Sequence, residues 1–165
     1  MGLDMYLSAR KYVEKVDWDV LRKNDELSYN SPEAQLPNFK SIVATAELAD
    51  LATDIYGASV SVTAAYWRKA NQIHNWFVNH VQGGKDDCGE YYVSHEKLES
   101  LLSICRHTYM TKDPALLEPV EGFFFGSTDI DQYYWEDIKR TVKMLEKITK
   151  HKKYPHLSFY YSSSW

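Results

Sequence analysis

A change of hydrophobic period between residues 64 and 66 constrains this chain more than any other feature. In Ser59-Val60-Ser61-Val62-Thr63-Ala64 the apolar residues Val60, Val62 and Ala64 alternate at a period of two, which puts them on one face of a strand. From Tyr66 the apolar positions Tyr66, Ala70, Ile73, Phe77 and Val81 recur at i, i+4, i+7, i+11 and i+15, and Gly83-Gly84 stops them. That spacing predicts a helix of about four turns whose stripe lies on a sheet. The chain must therefore hold both elements in contact.

Other segments add to the same layout. Leu3, Met5, Leu7 and Ala9 share a face at period two, a strand that carries on to Tyr12-Val13. Glu14 to Lys40 shows no sustained period and reads as loop with at most one helical turn, and Asn38 to Tyr56 fits either a short helix or a strand until Gly57 ends it. Tyr91-Tyr92-Val93 reads as a short strand. Ser94 and Glu96 then read as N-cap and acidic first turn of a helix that buries Leu98, Leu101, Leu102 and Cys105. Thr111 to Gly122 reads as loop and Phe123-Phe124-Phe125 as a short apolar strand or buried crossing. A last helix begins near Asp129 or Asp131, with Tyr134, Ile138, Thr141, Leu145 and Ile148 as its core stripe. Lys150-His151-Lys152-Lys153 would complement that helix's dipole, and Leu157 to Tyr161 reads as a strand at the sheet edge. The expected class is α+β: a small, mainly antiparallel sheet packed by about three helices, in one domain over 1–165 with 14–58 irregular or inserted.

Composition limits the function. The 165 residues are 44% hydrophobic and 15% aromatic with only 7 Gly and 5 Pro, which builds a core and excludes linker-like or collagenous classes. A formal charge of -4 disfavours a binder of duplex nucleic acid. Cys88 and Cys105 are too few for a disulfide framework and no run approaches the roughly 20 apolar residues that cross a bilayer, so a cytoplasmic protein away from the membrane is expected. Walker, dinucleotide-binding, Gly-x-Ser-x-Gly, His-Glu-x-x-His and paired Cys-x-x-Cys signatures are absent from the sequence.

Three polar segments remain as places for chemistry. Trp67, Arg68, Asn71 and His74 fall within two turns of the expected helix, an aromatic, a guanidinium, an amide and an imidazole that can stack on a base or hold a phosphate. The same spacing also suits a solvated face with Trp67 and His74 packed under a loop. In Gly83 to Tyr92, Asp86, Asp87 and Glu90 can hold Mg²⁺ or accept hydrogen bonds, or serve as an Asp-rich connector. In Gly126-Ser127-Thr128, hydroxyls before a helix start can seat an anion, although Asp129 or Asp131 can instead cap those amides.

The blocks Met1 to Leu7, Tyr66 to Val78, Asp86 to Ser94 and Gly122 to Thr128 resemble a family of small uncharacterised proteins encoded by bacteriophages and prophages, sometimes given kinase-like names. The resemblance implies a phage accessory protein acting on host defence or host metabolism, in the host cytoplasm.

Together these readings lead to an expected function. It is a non-catalytic homo-oligomer that binds a small nucleotide-like molecule and sequesters a host immune signal. Trp67, Arg68, Asn71 and His74 would form one wall, and Asp87, Glu90, Tyr92, Ser127 and Thr128 the others. One alternative is a Mg²⁺-dependent nucleotide hydrolase or transferase using Asp86, Asp87 and Glu90, with His74 as acid or base. Another is an inhibitor that binds a host protein through an aromatic surface.

Overall fold

The computed structural model describes residues 2–52, 56–149 and 156–165. The fold is α+β, as the sequence reading expects. Among the described residues, a four-stranded antiparallel sheet is accompanied by five α-helices and three short 3₁₀ turns. In chain order the elements are β1 (Asp4–Glu14), α1 (Trp18–Lys23), α2 (Pro37–Thr45), β2 (Gly57–Arg68), α3 (Asn71–His80), β3 (Tyr91–Val93), α4 (His95–Thr111), α5 (Gln132–Thr149) and β4 (Ser158–Ser164). The strand order is β2-β1-β4-β3. Two compact units divide these residues, Met1–Ala9 with Val62–Trp165 and Arg10–Ser61.

The larger unit is built on one core. Leu3, Met5, Leu7 and Ala9 of the first strand segment pack with Ala65, Trp67, Val93, Phe159 and Tyr161 and with the apolar stripes of α3, α4 and α5. On α5 every expected stripe residue, from Tyr134 through Ile138, Thr141 and Leu145 to Ile148, is buried. On α4, Ser94 Oγ accepts the Lys97 amide at 3.2 Å and Leu98, Leu101, Leu102 and Cys105 are buried, so cap and stripe both stand as expected.

Where periods meet, the structure differs. Tyr66 to Arg68 continue β2, and Lys69, in the left-handed region at φ 58°, breaks the strand so that α3 begins only at Asn71. The helix is a turn shorter at its start than the stripe suggested. Ala70, Ile73 and Phe77 are buried as expected, and Gly83 and Gly84 close the end at positive φ, with Gly84 N–H donating to Val78 at 2.8 Å. The face of β2 is also reversed. Ala65 and Trp67 point into the core while Val62 is 58% exposed and Val60 lies open, because burying an indole outweighs burying two valines.

Phe123 to Phe125 form no strand. They turn, with Phe125 N–H donating to Gly122 at 3.1 Å, and Phe123 stands 95% exposed. The backbone demand of this segment is met by that turn and by Leu3 N–H, which donates to the Phe124 carbonyl at 3.0 Å. β4 is a central strand rather than an edge, pairing with β3 in the register Tyr91↔Tyr161, Tyr92↔Tyr160 and Val93↔Phe159. Its alternating buried Phe159, Tyr161 and Ser163 explain the placement.

In the smaller unit, the segment read as loop carries α1, and α2 occupies the start of the stretch that fitted either a short helix or a strand. Asp17 caps α1 by accepting from the Asp19 and Val20 amides at 2.9 and 3.3 Å, and Pro37 opens α2, which buries Phe39 and Val43 beside Ala52. One apolar pair on a nine-residue helix is too short a stripe to be read as periodic. With these two, five α-helices lie among the described residues, and three of them, α3, α4 and α5, pack on the larger core as expected. Lys150-His151-Lys152-Lys153 and Ile55 lie outside the described residues.

Candidate functional site

A groove of about 480 Å³ opens in the larger unit, where the end of β2, the start of α3, the Gly126-Ser127 turn and one face of α5 meet. Its construction starts at Asn71. This buried amide donates from Nδ2 to the carbonyls of Phe125 at 3.2 Å and Ser127 at 2.9 Å and accepts the Val120 N–H at 3.3 Å, so one side chain fixes both ends of the loop that forms a wall. The neighbouring Gln72 is 3% exposed, lines the same groove, and its Nε2 has no hydrogen-bond partner. A buried amide donor left without an acceptor costs on the order of 1–3 kcal/mol.

The opposite wall is α5. Tyr133, Asp137 and Arg140 fall at i, i+4 and i+7, on the flank of the helix about a quarter-turn from the core stripe. Asp137 is half-buried, and burial lifts its carboxyl to about 6 against the opposing pull of Arg140. The Arg140 guanidinium stands 3.6 Å away, an ion pair too long to be a hydrogen bond. The other carboxylates at the groove are exposed and engaged: Asp129 accepts the Ser127 hydroxyl at 2.8 Å, Asp131 caps α5 through the Tyr134 amide at 3.1 Å, and Glu136 accepts from Gln132 at 2.6 Å. Arg68 and Lys69 bring positive charge from the strand end.

A second polar cluster lies elsewhere in the same unit. His74 is 1% exposed, with Nδ1 at 2.7 Å from the Tyr161 hydroxyl and Nε2 at 3.0 Å from Asp86 Oδ2. Asp86 also accepts from the Trp165 indole at 3.2 Å. Because a carboxylate only accepts, the proton must sit on Nε2, and in the neutral ring Nδ1 then accepts from Tyr161. Tyr161 stacks on Phe77 at 3.9 Å, and burial, with Asp86 nearby, drives its ionisation well above the ordinary phenol range.

The structure distributes the residues singled out in the sequence. Arg68, Asn71 and Ser127 meet at the groove. Trp67 lies in the core at 0% exposure, its indole donating to Thr141 Oγ1 at 2.8 Å, because the strand rather than a helix sets its direction. His74 belongs to the buried cluster with Asp86. Asp87 accepts from Gly89 N–H and the Tyr91 hydroxyl at 2.9 Å and pairs with Lys85, which holds its carboxyl down at about 2. Glu90 is exposed in that loop, and Tyr92 stands open on the sheet against Tyr160 at 5.9 Å. Thr128 lines a separate surface depression with Phe123. Among the described residues, no three His, Cys, Asp or Glu gather closely enough to hold a metal ion.

Gln72, Tyr133, Asp137, Arg140 and Tyr161 were not among the expected site residues. The α5 set had a readable signal, three residues at i, i+4 and i+7 that flank a clean apolar stripe. No helix is long and apolar enough to cross a membrane among the described residues. No protein-family model, no curated protein and no solved structure matches this chain.

Proposed function

We propose that this chain is a phage accessory protein that holds a small nucleotide-like ligand in the groove between α3 and α5 without turning it over, and so withdraws a signal from the host. The observation that carries the reading is the groove itself, walled by the loop that Asn71 ties down and by one flank of α5. Around it stand a phenol ring able to cover a flat group, two cationic residues at the strand end and a half-buried carboxylate. A volume of about 480 Å³ lies within the range of small-molecule sites. The resemblance of the four sequence blocks supplies the phage setting, and oligomerisation belongs to the same proposal.

The test is incubation of the full chain with a panel of nucleotides, removal of free ligand, heat denaturation and chromatography of what is released. A binder returns its ligand intact and melts higher in its presence. Release of altered nucleotide establishes an enzyme instead, and a chain that takes up none of the panel sinks the reading.

A further inference from the structure

The charged side chains that line the groove are unevenly engaged. Of its four carboxylates, Asp129 accepts the Ser127 hydroxyl, Asp131 caps α5, Glu136 accepts from Gln132, and Asp137 lies 3.6 Å from Arg140. Arg140 therefore belongs to the α5 wall. The other two cations, Arg68 and Lys69, are exposed at the end of β2, and among the described residues neither makes an ion pair or a side-chain hydrogen bond. The unpaired positive charge of the groove thus comes from the strand end.

Lys69 is also held in place. Its backbone lies in the left-handed region at φ 58°, which is unfavourable for any residue but glycine. Its stem runs past two glycines: a Cβ added at Gly126 would come within 3.3 Å of Lys69 Cβ, and one added at Gly2 within 3.1 Å of its Cε. A stem confined in this way gives up little rotamer freedom when its ammonium meets an anion.

The charge count then limits the ligand. A phosphate monoester carries about −1.5 to −2 at pH 7, which two cations offset. Each further phosphate adds negative charge that they do not offset, and in a groove of about 480 Å³ lined by four carboxylates that surplus is repelled. We propose that the groove takes a nucleotide bearing one phosphate group and turns di- and triphosphates away, with Arg68 and Lys69 as the phosphate contacts. This rests on the nucleotide-binding reading above and narrows it by charge rather than by base.

Calorimetry of the full chain near pH 7, at low salt and with EDTA present, tests it. The probes are the nucleoside, 5′-monophosphate, cyclic 3′,5′-monophosphate, diphosphate and triphosphate of adenosine, guanosine, cytidine and uridine. A one-phosphate form is expected to bind best, with the free nucleoside and the triphosphate each about tenfold weaker. Either one-phosphate form at the head of the series supports the proposal, and which of them leads tells a terminal phosphate from an internal one. Lys69→Met keeps the stem and removes the charge, so the melting temperature should hold while affinity for the one-phosphate form falls about tenfold. Unchanged affinity in that variant overturns the phosphate assignment. Affinity that rises from mono- to triphosphate, or a nucleoside that binds as well as its monophosphate, overturns the proposal and leaves nucleotide binding standing. No binding by any of the probes overturns both. Should Lys69→Met fail to fold, the phosphate series on the unaltered protein decides alone.

Discussion

The imidazole of His74 and the phenol of Tyr161 meet inside the molecule at 2.7 Å, although 87 residues separate them along the chain. In the neutral ring this contact leaves Nδ1 as the acceptor, because Asp86 holds the other nitrogen. Tyr161→Phe keeps the stack on Phe77 and removes only the hydroxyl, so Nδ1 is left buried without a donor. A loss of about 1–3 kcal/mol in unfolding free energy is expected. Urea denaturation checks it, and an unchanged midpoint would show that water replaces the phenol.

Alkaline pH should unfold the protein from within. Burial raises the Cys105 thiol from 9.0 to about 12 and carries Tyr161 and Tyr134 above the ordinary 10.0. The folded state then holds protons that the unfolded chain has already released. Stability from these groups is complete below pH 9.0 and falls as pH climbs, first through the thiol and then through the phenols. Urea midpoints measured from about pH 8 to about pH 11 should decline steadily, and Cys105→Ala should delay the onset toward the phenol range. A flat profile contradicts the burial of these groups.

Asp137 gives the opposite end of the pH scale. Its carboxyl is lifted from 3.8 to about 6, so the fold favours the protonated form and loses stability as pH rises through that window. The cost at neutral pH is on the order of 2 kcal/mol. Asp137→Asn should therefore raise the melting temperature of the ligand-free protein at pH 7 and flatten the change between about pH 4 and about pH 6. Carbon-detected NMR of the side-chain carboxyl should place its midpoint near 6.

Asn71→Ala removes three hydrogen bonds to Val120, Phe125 and Ser127 in one step. A destabilisation of about 2 kcal/mol or more is expected. Hydrogen exchange should quicken across the loop from Val120 to Asp129 before it changes elsewhere. Uniform quickening would mean that Asn71 supports the whole core rather than the groove wall.

Arg68→Ala should separate binding from folding. The side chain is exposed at the end of β2, so the melting temperature should move by no more than about 2 °C while affinity for an anionic ligand falls and its salt dependence weakens. A collapse in melting temperature would show that the guanidinium anchors the strand end.

What could be read in the sequence was whatever a single element decides alone. The α5 stripe and the Ser94 cap needed only their own neighbours, and both stand in the structure. The direction of Trp67 needed more. Two valines at period two pointed one way, and one indole, whose N–H finds Thr141 on a distant helix, decided the other. Asn71 likewise suited a solvated face, whereas Val120, Phe125 and Ser127, 49 to 56 residues on, hold its buried amide. Tyr161 could not be matched to His74 until the sheet order placed β4 in the middle.

That order also governs how the protein is made. With β4 seated between β1 and β3, a chain emerging from the ribosome carries β3 without its neighbour until residues 158–164 have been synthesised. Closure of the sheet is then a late, non-local event, and such events are slow and leave strand edges open. Translation stalled before Ser158 should yield a nascent chain that chaperones hold and proteases clear, with native-like protection arriving only once β4 has joined the sheet.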